Sequence, residues 1–158
     1  MSVLNPNKAF AQGIVGNVVH KATGTVANGT TSLFTIAGGR IILTGFLGRV
    51  TTAIGATVSN CKLVYNPTAT GTSFDLCTAV AITSDAVEQT YYWIADVATP
   101  SALLVGGAVG QSQPVFATPY SMQAGVIEQN LSADPVGGAI TWSAMWVPLD
   151  DGATLVAA

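Results

Sequence analysis

Apolar residues in this chain come in short alternating runs, and Gly or Pro cuts them off roughly every ten residues. The stretch 139–147 is the clearest case. Ile140, Trp142, Ala144 and Trp146 interleave there with Thr141, Ser143, Met145 and Val147. Successive side chains of a strand point to opposite faces, so this pattern suits a strand with one face in a core. No stretch combines the 3.6-residue period of an amphipathic helix with helix caps. The chain is therefore expected to be all-β, an antiparallel β-sandwich or barrel (jelly-roll-like) with an extended N-terminal arm. A domain of 158 residues can bury a core without disulfide or metal staples.

The spacing predicts strands over 32–36, 40–54, 60–65, 72–78, 89–95, 102–105, 114–117, 125–132 and 139–147. The run 40–54 is apolar on both faces, which places it centrally, and its Gly45 and Gly48 suggest a bulge or a close backbone approach. Residues 66–71 and 134–138 read as hairpin loops. In the first hairpin, pairing Lys62 with Asp75 sets Leu63 against Phe74 and Cys61 against Leu76. Pairing Cys61 with Cys77 would set Leu63 against a carboxylate. The first register is expected, with the two thiols on opposite faces. Residues 1–31, interrupted by Gly13, Gly16, Gly24 and Gly29, read as the arm, with one strand near 14–21. Residues 32–158 read as the β-domain.

Charge is scarce and segregated. Only 8% of residues are charged, against about 25% in an ordinary soluble domain. The mean hydropathy is +0.50. The five cations, Lys8, Lys21, Arg40, Arg49 and Lys62, all precede the eight anions, of which Asp75 is the first and Asp151 the last. Such a surface is expected to be covered by other protein, with Lys8, His20, Lys21, Arg40 and Arg49 as candidate contacts to a neighbouring subunit or larger particle. A net charge of −3 argues against nucleic-acid binding, since five dispersed cations make no phosphate-neutralising patch. No apolar run reaches the ~20 residues of a membrane span. The start, Met-Ser-Val-Leu-Asn-Pro-Asn-Lys, lacks a basic segment followed by an apolar one, so synthesis in a cytosol is expected.

Catalytic and metal chemistry find little support. Cys61, Cys77 and the lone His20 do not make a zinc ligand set, and free buried thiols are expected. Ser112, in Gly-Gln-Ser-Gln-Pro, lacks the second glycine of a nucleophile elbow. The carboxylate pairs Asp85/Glu88 and Asp150/Asp151 sit in turn-like contexts that suit solvated surface. No cofactor and no enzymatic activity are expected. Trp93, Trp142 and Trp146 read as core or subunit-interface aromatics, with a sugar-stacking platform as the minor alternative.

Two segments resemble a known group. Residues 32–55, Ser-Leu-Phe-Thr-Ile-Ala-Gly-Gly-Arg-Ile-Ile-Leu-Thr-Gly-Phe-Leu-Gly-Arg-Val-Thr-Thr-Ala-Ile-Gly, are one. Residues 142–154, Trp-Ser-Ala-Met-Trp-Val-Pro-Leu-Asp-Asp-Gly-Ala-Thr, are the other. Both resemble small virion proteins of tailed bacteriophages, of the kind that decorate or cement the head shell. The resemblance extends over about residues 30–155 and brings no catalytic residues with it. It implies a β-rich fold, a homo-oligomer (commonly a trimer), binding to assembled major capsid protein, and a place on the capsid exterior. A tail or head-fibre component is the first alternative. A carbohydrate- or small-ligand-binding β-module is the second, and it requires Trp93 or Trp142 to be exposed.

Overall fold

The computed structural model describes residues 16–69, 71–93, 104–106 and 119–158. They form twelve strands and no helix: β1 (Asn17–Ala22), β2 (Gly29–Ala37), β3 (Ile41–Thr52), β4 (Asn60–Pro67), β5 (Phe74–Asp75), β6 (Val80–Ala81), β7 (Thr90–Tyr92), β8 (Leu104–Gly106), β9 (Tyr120–Met122), β10 (Gly125–Leu131), β11 (Ala139–Pro148) and β12 (Thr154–Ala157). Two six-stranded antiparallel sheets pack face to face as a sandwich. Sheet A runs β1-β11-β3-β7-β8, with β9 also on β3. Sheet B runs β12-β2-β10-β4-β5, with β6 also on β4.

Alternation places the core as the sequence implied. Ile140, Trp142, Ala144 and Trp146 point inward from β11, and Ile127, Gln129 and Leu131 point inward from β10. Phe46 sits at the centre. Its ring meets Phe34 of sheet B at 5.6 Å edge-on, Trp142 at 5.4 Å and Trp93 at 6.4 Å. The long apolar run becomes β3, central in sheet A between β11 and the short pair β7 and β9. Both of its interior glycines have a structural reason. Opposite Gly45, the β3–β11 ladder slips by one residue between Met145 and Trp146. At Gly48 a side chain would meet the Trp142 ring at 2.7–2.9 Å, so only hydrogen lets the indole lie flat on the strand.

Four expectations are corrected. First, the β-domain begins well before residue 32. Strand β1 pairs with β11 from Asn17↔Trp146 to Ala22↔Thr141, and Val26 is in the core. Of the glycines that suggest an arm, Gly16 and Gly24, both at positive φ, flank a real edge strand, and Gly29 opens β2. Residues 1–15 lie outside the described residues. Second, the β4–β5 register differs by two residues: Val64 faces Asp75 and Tyr65 faces Phe74. A slip of two preserves the face, so Lys62 still reaches Asp75 diagonally at 2.8 Å.

Third, the two thiols share one core instead of opposite faces. The chain leaves the ladder after Asp75, so alternation no longer governs Cys77, whose sulfur accepts the Leu63 N–H at 3.2 Å. Burial pushes both thiols up, Cys77 to about 11. Fourth, residues 134–138 are not a hairpin loop, because they carry the chain from β10 in sheet B to β11 in sheet A. Alternation within two strands cannot distinguish a hairpin from a change of sheet. Strands β6, β9 and β12 have no counterpart in the sequence pattern, and the expected strand at 114–117 lies outside the described residues.

Candidate docking face

The outer faces of the two sheets differ in chemistry. On sheet B, cross-strand rows bring together Thr35 and Val126, Ser32 and Glu128, and Thr30 and Asn130, with Asn130 also opposite Lys62. Asn130 donates to Thr30 at 2.9 Å and Lys62 pairs with Asp75. Most of that face is polar, with Val126 and the 51%-exposed Val156, both beside Thr35, as apolar exceptions. On sheet A, Val18 lies opposite Met145, Val147 opposite Ile42, and Leu47 opposite Ser143 and Tyr92. Val18 is 48% exposed, and Ile42, Leu47, Met145 and Val147 are each partly exposed. Neighbours in this patch include Gly45, Ser143, Ser121 and His20, and the nearest charge on the same face is Arg49, two residues beyond Leu47 and paired with Glu88. The patch exists because β3 and β11 carry apolar residues at both parities, and the sandwich can use only one parity for its core.

The segregated charges meet inside the molecule. Strands of the first half interleave with strands of the second, so early cations face late anions. Arg40 grips Asp150 from three donors: its backbone N–H at 2.8 Å to Oδ2, Nε at 2.9 Å to Oδ2 and Nη2 at 2.8 Å to Oδ1. The Arg40 guanidinium and backbone N–H together hold the Asp150 carboxyl at about 2, below the usual carboxylate range. Close backbone nesting supports this clamp. Gly38, at φ +74°, would carry its Cβ into the carbonyl of Gly152, and Gly39 packs on Asp150 itself. Arg49 reaches Glu88 at 3.3 Å, on the rim of sheet A. Of the cations expected to contact a neighbour, Arg40 and Arg49 thus have intramolecular partners, as does Lys62 in its pair with Asp75. His20 Nδ1 is 2.8 Å from the Ser143 hydroxyl, and Lys21 donates to the carbonyl of Ala158. Lys8 lies outside the described residues.

The three tryptophans are all buried, Trp142 completely, Trp93 at 2% and Trp146 at 8% exposure. None offers a stacking surface, which removes the feature that a tryptophan-based sugar platform requires. The Trp93 indole N–H donates to the Leu76 carbonyl at 3.0 Å. Tyr91, also buried, donates to Asp85 at 2.5 Å, and desolvation first, then this bond, pushes its hydroxyl up. Three of the four carboxylates weighed for acid–base work are engaged: Asp85 with Tyr91, Glu88 with Arg49 and Asp150 with Arg40. Among the described residues no three His, Cys, Asp or Glu side chains cluster to hold a metal, and no helix is long and apolar enough to cross a membrane. The difference between the two outer faces is not legible in the sequence. Its one trace is the two-sided apolarity of 40–54, which reads as burial on both sides.

No protein-family model, no curated protein and no solved structure matches this chain.

Proposed function

We propose that this chain is a structural virion protein of a tailed bacteriophage that binds the assembled head as a homo-oligomer and stabilises the shell. The observation that carries the proposal is the apolar outer face of sheet A, set against a polar outer face on sheet B. A partly exposed apolar patch on the outer face of one sheet, among the described residues, is best explained as a surface covered in the working state. The resemblance of residues 32–55 and 142–154 to decoration proteins supplies the identity of the cover: capsid protein and other copies of this chain, with a trimer favoured.

Magnitudes favour a repeated contact over an isolated one. Covering the remaining surface of Val18, Ile42, Leu47, Met145 and Val147 contributes on the order of 1 kcal/mol each at ~25 cal/mol per Å². The sum, roughly 5 kcal/mol, only reaches the low end of the ~4–15 kcal/mol that association costs. One such contact is weak. Repeated across a symmetric shell it becomes lasting. A protein that binds only the assembled lattice adds its binding free energy to the assembled state, and so raises the resistance of the shell to disruption.

Co-sedimentation with heads assembled from the capsid protein encoded in the same genome tests this. The expected result is saturable binding to assembled heads, weak binding to free capsid subunits, and later melting of decorated heads. No binding to heads overturns the proposal. Imaging that places the chain only on tails or fibres also overturns it, in favour of a tail or fibre component.

A further inference from the structure

Between β4–β5 and β9 lies a cleft of about 410 Å³ lined chiefly by Tyr65, Pro67, Phe74, Tyr120, Met122 and Gln123. Its volume and its mix of apolar wall with a few polar groups are those of a small-ligand site. Tyr65, Pro67 and Met122 are buried. Phe74 stands at the mouth, 45% exposed, and is the one aromatic ring among the exposed large apolar side chains of the described residues. It is held edge-on against Tyr65 at 5.4 Å, and Tyr120 is held edge-on against Trp93 at 5.7 Å. Neighbouring rings therefore fix both.

We propose that this cleft binds a neutral saccharide. Among the described residues no Asp, Glu, Lys, Arg or His lines it, and the nearest charge in sequence, Asp75, is paired with Lys62. A charged ligand would lose its hydration there with nothing to replace it. The polar groups at the cleft include the Ser121 and Thr72 hydroxyls and the Gln123 amide, which both donate and accept, as sugar hydroxyls do. The exposed face of Phe74 suits the C–H face of a pyranose. A proline-rich peptide also favours aromatic grooves, but it needs ring N–H or O–H donors for its carbonyls. Of the ring donors at the cleft, the Tyr65 hydroxyl is committed to the Gln123 carbonyl at 2.7 Å, which leaves such a peptide at most the Tyr120 hydroxyl. The site lies apart from Val18, Leu47 and Met145, although Ser121 borders both it and the patch residue Ile42, and it rests on no part of the head-binding proposal.

The test is an NMR titration of the labelled full chain with three probes: maltohexaose, cellohexaose and chitohexaose. A polyproline peptide is run in parallel. The expected result is saturable shifts at Phe74, Tyr120 and Gln123 with at least one saccharide. Phe74→Ala should weaken that binding about tenfold or more, and Gln123→Ala should weaken it without disturbing the rings. Lys62→Gln, on the far side of β4, should bind as the wild type does. Three silent saccharides, undiminished binding by Phe74→Ala, or shifts at these residues with polyproline alone would each overturn the proposal.

Discussion

The indole N–H of Trp142 donates to Oε1 of Gln129 at 2.7 Å, across the interior of the sandwich, with both side chains fully buried. Trp142 comes from sheet A and Gln129 from sheet B, so this polar bond ties the two sheets together within the core. The amide nitrogen of Gln129 has no partner among the described residues. The bond thus comes with one unmet donor, and it contributes orientation as much as free energy.

Gln129→Leu removes both the acceptor and the unmet donor. The indole N–H is then left bare, which costs about 1–3 kcal/mol, partly offset by loss of the unpaired amide. We expect a net destabilisation of roughly 1–2 kcal/mol in urea unfolding. Trp142→Phe alone strands the amide oxygen as well as opening a void. In the double variant neither polar group remains, so the combined loss should be smaller than the sum of the single losses by ~1 kcal/mol.

Gly48 is the second half of the same arrangement. Gly48→Ala places a methyl 2.7–2.9 Å from the Trp142 ring, which has no free side to move toward. Overpacking of this kind costs about 1–3 kcal/mol. Adding Trp142→Phe removes part of the ring system that the methyl strikes. The Gly48→Ala penalty should therefore shrink in that background. An equal penalty in both backgrounds would show that the strain lies elsewhere in β3.

The Arg40–Asp150 clamp gives a pH dependence of known sign. The folded state holds Asp150 at about 2, below its ordinary value of 3.8. Its contribution is therefore complete above about pH 4 and fades as the pH falls through 2. Wild type should be more stable than Asp150→Asn at neutral pH, and the two should converge near pH 2. Both partners are well exposed, at 55% and 35%, so the difference at neutral pH should be small. Thermal midpoints measured in parallel from pH 2 to 7 check it. A gap that persists at pH 2 would mean that the Asp150→Asn substitution harms packing instead of removing charge.

Legibility in the sequence varies by element. Strand β10 and the first half of β11 are plain because one face is core and the other is polar, which forces alternation; beyond Ser143 the outward positions of β11 turn apolar at Met145 and Val147. Strand β3 is plain as a strand but not in its faces, since Ile42 and Leu47 resemble the inward Ile41 and Phe46 in chemistry and differ only in direction. Strand β1 is legible as a strand near 14–21, but its flanking glycines hide that it belongs to the sandwich. Strands β9 and β12 have only three and four residues and are held by their neighbours more than by any pattern of their own. The Lys62–Asp75 ion pair follows from the sequence while the β4–β5 register does not, because a diagonal and a direct pair satisfy the same charges. The aromatic cleft is invisible in the sequence, since Tyr65, Phe74 and Tyr120 come from three separate segments.

The central claim is that sheet A turns an apolar outer face toward copies of this chain and toward the shell. Sedimentation velocity of the wild type and of Leu47→Glu/Met145→Glu, over a wide range of concentration and at low and high salt, tests it most directly. Near-ultraviolet circular dichroism from the buried tryptophans verifies that both proteins are folded. The account predicts that the wild type associates beyond its 16.0 kDa monomer and is not weakened by salt, while the double variant remains at 16.0 kDa. A wild type that stays monomeric throughout, or a folded double variant that associates equally well, would contradict it.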